Sequence, residues 1–396
     1  MIVLVLDGFG IGQMSDAGNE IYADTLGSLL NYKADLYLPN LEQLGLMNAY
    51  GKESLNMKFS PEANYGKIAL MHQGADTFYG HQEMMGTLPK PTKKVPFSGS
   101  IDKISQALID HNYDVKFIGD KLKILLVNNC ITVGDNLEAD YGLAYNVTSS
   151  FDYVSFEDVI KVGKIVRQNS IVPRVIAFGG QEVKLINIIS AIHEKDNKMV
   201  GVSAPEVGVY DKGYEVVHMG YGIDHKVQAP TILGENGISV TLIGKVADIV
   251  KNDHGKSIAA VDTDLVMNEL IQASNDVSNG FICANVQETD LAGHDENPEM
   301  YIKKLQIVDS YLPTLIQSLS EEDIMLIVAD HGNDPSIGHG KHTREYVPLL
   351  VYKKNLKNQA YGLRSTLSDI GATAVELFSN KNLTENGKSI KFECNK

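Results

Sequence analysis

The sequence predicts an α/β fold: an alternating core with a mostly parallel sheet and helices on both faces, plus an inserted α+β cap domain. Three observations lead there. Short, continuous apolar runs at 2–6, 239–245, 280–286 and 324–330 have the character of strands buried on both faces, which is typical of parallel sheets. Segments with helical spacing at 38–46, 298–319 and 363–378 alternate with them, as crossover helices do. The stretch 96–225 breaks the pattern, because short strand-like runs crowd together there with only two helical segments.

Taken in order, the first run, IVLVL, stops at Asp7-Gly8. It is too short to cross a membrane and has no basic segment before it, so it reads as a buried strand and not a signal peptide. LPNLEQLGL follows as a helix. GADTFYGHQEMMG (74–86) reads as a loop entering a helix, where free amide N–H groups favour a phosphate. In the middle, DVKFI, KILLV, CITVG, PRVIAF and GVYDKGYEVVHMG read as strands, with SGSIDKISQALIDH and SFEDVIKVGKIVRQ as helices. Polar TLPKPTKKVP and YGIDHKVQAP bound this insert, giving a core of 1–95 and 226–396 and a cap of 96–225. In the second arm SVTLIGK ends at Lys245, GFICANV precedes Asp290, and IMLIVAD ends at Asp330. Ligands of open α/β sheets bind outside the carboxyl ends of the strands, where these polar residues fall.

At 396 residues the chain exceeds the usual single domain. Its formal net charge of −15 argues against nucleic acid and anionic membrane partners, which call for basic surfaces. Cys130, Cys283 and Cys394 are widely spaced without a CxxC pair, so neither a disulfide framework nor a thiolate zinc site is expected. A cytoplasmic protein fits these features.

A strand gains nothing from ionisable groups at its end unless they are paired, because burying lone charge is costly. Yet Asp7 ends one apolar run, Asp330 and His331 end another, and Asp290 and His294 stand four apart in ETDLAGHDENP. His342 precedes a further apolar run, with His339 as its substitute three residues earlier. Three aspartates and three histidines can ligate two divalent ions, and the mixed set suits manganese, zinc or iron better than calcium. A hydroxyl such as that of Thr77 becomes a candidate nucleophile when a metal activates it. Arginine is scarce; Arg344, two residues after His342, either grips a phosphate or pairs with Glu345 or a helix end. Arg174 and Lys245 are the other candidate phosphate contacts.

Asp7-Gly8, DTxxGHxE (76–83), DxxGH (290–294), ADHGNDP (329–335), HTREYVP (342–348) and SDIGATAVELF (368–378) closely resemble phosphopentomutases. These belong to the alkaline phosphatase superfamily, with cofactor-independent phosphoglycerate mutases as cousins. LIGKVADI (242–249) is similar as well, whereas the resemblance is faint through the middle. It implies an alkaline phosphatase-like core with an inserted cap and two metal ions, usually Mn2+, with Zn2+ or Fe2+ as alternatives. By motif position Asp290, His294 and His342 would hold one ion, and Asp7, Asp330 and His331 the other. The resemblance also implies a phosphoryl-carrying threonine directly before GHxE. Here that residue is Tyr79, and Thr77 is the nearest threonine, so Thr77, Tyr79 or neither is the acceptor. The arginine of the family's IARPF-like cap segment is absent from VIAFGGQ (175–181), although Arg174 adjoins it. The expected function is a metal-dependent phosphomutase acting on a small phosphorylated metabolite, with a substrate that can differ from the family's. A phosphohydrolase or phosphonate-cleaving enzyme and a non-catalytic metal-binding relative are the alternatives.

Overall fold

In the computed structural model, which describes residues 1–18, 22–139 and 141–392, the apolar runs of both chain arms lie side by side. The eight-stranded sheet has the order Lys256–Ile258, Ser239–Ile243, Gly280–Val286, Ile2–Leu6, Ile324–Val328, Val347–Lys353, Asn64–Ile68, Ala360–Arg364. Its first five strands are parallel, with Ile2 opposite Ile282 on one side and Met325 on the other. Val347–Lys353 runs antiparallel to both its neighbours, and Ala360–Arg364 joins Asn64–Ile68 in parallel. Ile2–Leu6, Gly280–Val286 and Ile324–Val328 are buried along their whole length, which is why they show no polar alternation. Full burial of each Val, Leu or Ile side chain there contributes about 1.5–3 kcal/mol.

Helices cover the sheet in separate groups. Thr263–Asp276 packs on Pro298–Ser318, and Ser368–Ser379 packs on Thr77–Met84 and Ala229–Glu235. Three of these helices are capped at their starts by side chains: Asp262 accepts from Leu265 N–H, Asn297 from Met300 N–H, and Asp76 from Tyr79 N–H.

Two helical expectations change. The 38–46 segment becomes two short helices, Pro39–Gln43 and Leu46–Tyr50, interrupted by Gly45 at φ 99°. A Cβ there would lie 2.6 Å from the Ala63 Cβ, so backbone geometry and crowding both require glycine. The 363–378 helix starts only at Ser368, because Ala360–Arg364 is an edge strand of the sheet. Arg364 caps the change of direction through a 2.6 Å hydrogen bond to Asp369.

The chain divides into two compact units, 1–89 with 224–396, and 90–223. The smaller contains a six-stranded sheet in the order Glu215–Gly220, Arg174–Gly180, Ala144–Ser150, Ile131–Asp135, Ile124–Val127, Val115–Ile118. Only Ala144–Ser150 and Arg174–Gly180 pair in parallel. Helices Ile101–Asp110 and Phe156–Gln168 bury Ile104, Leu108, Val159, Val162 and Val166 against Leu125, Val133, Val147 and Val175 of this sheet. Ala144–Ser150 and the hairpin of Ile192–Lys195 with Met199–Val202 were not visible as strands in the sequence. Cys130 and Cys283 are free thiols, and Cys394 lies outside the described residues.

Asp135 ties this unit together by accepting from Phe97 N–H at 2.8 Å and Val200 N–H at 2.9 Å. Burial pushes its carboxyl up to about 6. A carboxyl raised in the folded state favours the protonated fold. Stability from this group is therefore lost as pH rises from the unfolded value of about 3.9 through about 6, and is flat above. Asp135→Asn removes that pH slope and lowers stability at neutral pH by about 1–3 kcal/mol, because an amide N–H then faces a backbone N–H. Thermal unfolding of both proteins from pH 4 to 8 measures the two effects.

Candidate metal centre

The carboxyl ends of the parallel strands converge on one cluster within the larger unit. Asp7 follows Ile2–Leu6, Asp330 and His331 follow Ile324–Val328, and Asp290 lies on the helix Glu288–His294 that follows Gly280–Val286. One helical turn puts His294 on the same side as Asp290, at 3.3 Å from its Oδ2. His342 arrives from the loop before Val347–Lys353. That loop is fixed to residue 332 by a bridge in which Gly332 and Thr343 each donate N–H to the other's carbonyl.

Asp7, Asp330 and His331 bring ligand atoms within 4.8 Å of one another, and so do Asp290, His331 and His342. His331 Nε2 is 3.5 Å from Asp7 Oδ1 and 3.3 Å from Asp330 Oδ2. His342 Nε2 is 3.3 Å from Asp290 Oδ1 and 3.1 Å from His294 Nε2. The rings of His331 and His342 stack at 3.9 Å, so the two ligand groups are contiguous, with His331 at the seam.

The donor chemistry fits cations. His331, His342 and His294 each use Nδ1 toward a backbone carbonyl, of Gly332 at 3.0 Å, Ala75 at 2.8 Å and Gly340 at 2.7 Å respectively. A carbonyl only accepts, so each Nδ1 carries a proton and each Nε2 is turned into the cluster, where a neutral ring offers its lone pair and a protonated His294 must first release its Nε2 proton. Asp7 Oδ1 and the Nε2 of His331 are buried without a hydrogen-bond partner. Such orphaned atoms are costly in protein and natural in a metal site.

The charges are arranged accordingly. Burial, then the Asp330 and Asp290 carboxylates, pushes Asp7 up to about 8. Burial also opposes ionisation of Asp290 and Asp330, yet the surrounding histidines and Lys245 hold both well below the usual carboxylate range. Burial lowers His331 to about 4, which keeps it neutral, while the Asp290 carboxylate raises His294 to about 9. Lys245, first residue of the helix Lys245–Ile249, places Nζ 3.0 Å from both Asp7 Oδ2 and Asp290 Oδ2.

Thr77 opens the helix Thr77–Met84, and its hydroxyl donates to Asp330 Oδ2 at 2.7 Å. The side chain therefore reaches the cluster from the first helical position. Tyr79 is buried two residues on, with its ring edge-on to Phe78. His81 Nδ1 donates to the Thr77 carbonyl at 2.9 Å and stands 3.2 Å from Asp330 Oδ2, and Asn285 meets its Nε2 at 3.0 Å.

Arg344 has a different job from the expected one. Its five N–H groups go to Asp16 Oδ1 and Oδ2 and to the carbonyls of Leu70, His72 and Gly74. A guanidinium with every donor taken clamps the loop before Thr77 and has none left for a phosphate. Nor does it pair with Glu345, which instead accepts from Gly12 N–H, Thr25 N–H and the hydroxyls of Thr25 and Thr343. His339 lines a cavity of about 620 Å³ beside His342, and its Nδ1 accepts from Lys341 N–H. Arg174 opens the strand Arg174–Gly180 in the smaller unit.

Several positioning residues escaped the sequence reading. Asn333 donates to Asp290 Oδ1 at 2.8 Å and to its carbonyl at 3.1 Å, fixing that carboxylate. Thr289 donates its hydroxyl to the Asp7 carbonyl at 2.7 Å. Glu83 accepts from His72 N–H, Leu367 N–H and the Thr366 hydroxyl and contacts His72 Nδ1 at 2.7 Å, anchoring the helix Thr77–Met84. The available signal was an Asn inside the fully buried GFICANV strand, and polar residues within motifs already noted.

This fold and site define a metalloenzyme, and the chain belongs to the metalloenzyme superfamily, whose family model matches residues 1–382. Its curated relatives include the phosphopentomutase of Clostridium kluyveri, 30% identical over 396 residues covering 96% of each chain. The phosphopentomutase of Clostridioides difficile is also 30% identical, over 99% of this chain and 98% of the relative. Among solved structures, phosphoglycerate mutase of Leishmania mexicana at low cobalt concentration aligns over 98% of this chain and 96% of its own, at 10% identity and TM-score 0.42. The chain is thus an enzyme of the metal-dependent mutase class, and divalent metal ions are implied. Among the described residues no helix is long and apolar enough to cross a membrane.

Proposed function

We propose that the chain is a phosphomutase that moves a phosphoryl group between hydroxyls of one small phosphorylated metabolite, with Thr77 as the transient acceptor. The observation that supports this reading is the 2.7 Å hydrogen bond from the Thr77 hydroxyl to Asp330. Asp7, Asp330 and His331 are assigned to one divalent ion, and Asp290, His294 and His342 to a second, with Mn2+ the preferred species. Bound there, such ions would supply Lewis-acid neutralisation of the charge on the transferring phosphoryl group.

The chain's own residues supply the rest. Asp330 accepts the Thr77 hydroxyl hydrogen and so aims Oγ1 at the incoming phosphorus. In the first half-reaction the Oγ1–P bond forms as the substrate ester O–P bond breaks, and the Thr77 proton ends on the departing substrate oxygen. The second half-reaction reverses this onto another hydroxyl of the same metabolite. Lys245 is assigned to the phosphate as a cationic contact.

The test is turnover of phosphopentoses and a panel of other phosphorylated metabolites by the Mn2+-loaded protein. Interconversion of isomers without free phosphate is the expected result, and steady phosphate release would make the enzyme a phosphohydrolase. Phosphopentose turnover at the rates of the family would fix the substrate as the family's own.

A further inference from the structure

Lys245 stands behind Gly244, whose φ of 77° turns the chain abruptly out of the strand Ser239–Ile243. A Cβ on Gly244 would lie 2.5 Å from the Asn285 carbonyl, so the turn is pressed against the neighbouring strand and its direction is fixed. The lysine is thereby sent into the cluster. Its Nζ bridges Asp7 and Asp290, one carboxylate from each assigned ligand set, at 3.0 Å to both. Its side chain is 15% exposed, and both aspartates are buried.

Three buried aspartates in one cluster, of which Asp290 and Asp330 are held ionised, are unstable without positive charge. In the metal-free protein Lys245 is the fixed cation that touches two of them, the remaining neighbours being titratable histidines. Once divalent ions are ligated by the same carboxylates, an ammonium in that position meets strong like-charge repulsion at short range. Its four-carbon stem lets it leave without any backbone change.

We propose that Lys245 is a placeholder cation: it holds the two ligand sets together before metal loading and is displaced when the ions bind, which frees its ammonium for the substrate phosphate. The inference rests on the assignment of the cluster as a metal centre. It adds a competition between the protein's own side chain and the metal.

The experiment compares the full-length wild-type chain with Lys245→Met, each with and without Mn2+. Calorimetric titration is expected to show Mn2+ binding about tenfold or more tighter in the variant, because a competing cation is gone. Thermal unfolding is expected at a lower midpoint for the metal-free variant, with the midpoints converging once Mn2+ is present. A variant that folds only with Mn2+ gives the same support. In the wild type, acylation of Lys245 by an amine-reactive probe, read by peptide mass spectrometry, is expected to speed up several-fold on adding Mn2+. Wild-type Mn2+ binding with unchanged Lys245 labelling, or with unchanged affinity in Lys245→Met, overturns the placeholder while leaving the metal centre intact. No Mn2+ binding by the wild type overturns the metal centre itself, and the placeholder with it.

Discussion

Asp7→Asn abolishes high-affinity metal binding and lowers turnover by about 10³-fold or more, while the metal-free protein unfolds at the same temperature as the wild type or higher. The two halves of this result come from one fact. Burial and the Asp330 and Asp290 carboxylates hold Asp7 up to about 8, so the metal-free fold favours its protonated form near pH 7. Asparagine imitates that neutral acid in shape and charge, so the fold loses little. It cannot imitate the anionic ligand, and a lost contribution of several kcal/mol to transition-state charge corresponds to about a thousandfold in rate. The same proton sets a pH dependence in the wild type. Apparent metal affinity rises with pH to about 9, most steeply below about 8, where Asp7 and His294 both hold a proton that a metal must displace. Metal analysis, scanning calorimetry and Mn2+ titration at several pH values check each part; a metal-free Asp7→Asn protein several degrees less stable would show that the carboxylate is ionised in the fold.

Thr77→Val loses turnover by about 10⁴-fold and forms no phosphoenzyme, whereas Tyr79→Phe stays within about tenfold of the wild type. Valine keeps the volume and β-branching of threonine and removes only the oxygen that donates to Asp330 at 2.7 Å. Tyr79 contributes its N–H to the Asp76 cap and its ring to the packing against Phe78, and phenylalanine keeps both. Peptide mapping of protein quenched during turnover measures the phosphate directly. Phosphate on residue 79 would exchange the two roles, and full activity in both variants would remove the covalent step altogether.

The clustered aspartates and histidines were legible from the chain because their chemistry is conspicuous locally. An ionisable residue at the end of a buried apolar strand needs a reason, and Asp7, Asp330 and His331 each presented that problem within a few residues of sequence. The strand runs were legible for the same cause, since Ile2–Leu6 and Ile324–Val328 show their two-sided burial in composition alone. The helix break at Gly45 was not legible, because it depends on Ala63 crowding a Cβ that glycine lacks. The role of Arg344 was equally hidden. A guanidinium near a candidate phosphate site reads as a grip, and only the fold delivers Asp16 and three carbonyls of residues 70–74 to fill its donors.

By itself the sequence determined which residue types stand at the strand ends, and hence that the chain carries a set of oxygen and nitrogen donors suited to divalent ions. The tertiary structure decided how those residues are used. It brought Thr77 to Asp330 across 253 residues, turned three Nε2 atoms inward by binding the opposite ring nitrogens to backbone carbonyls, and seated Lys245 between two aspartates. Residue chemistry is a local property that the chain states outright. Hydrogen-bond partners are chosen by the packing of distant segments, and no local pattern encodes them.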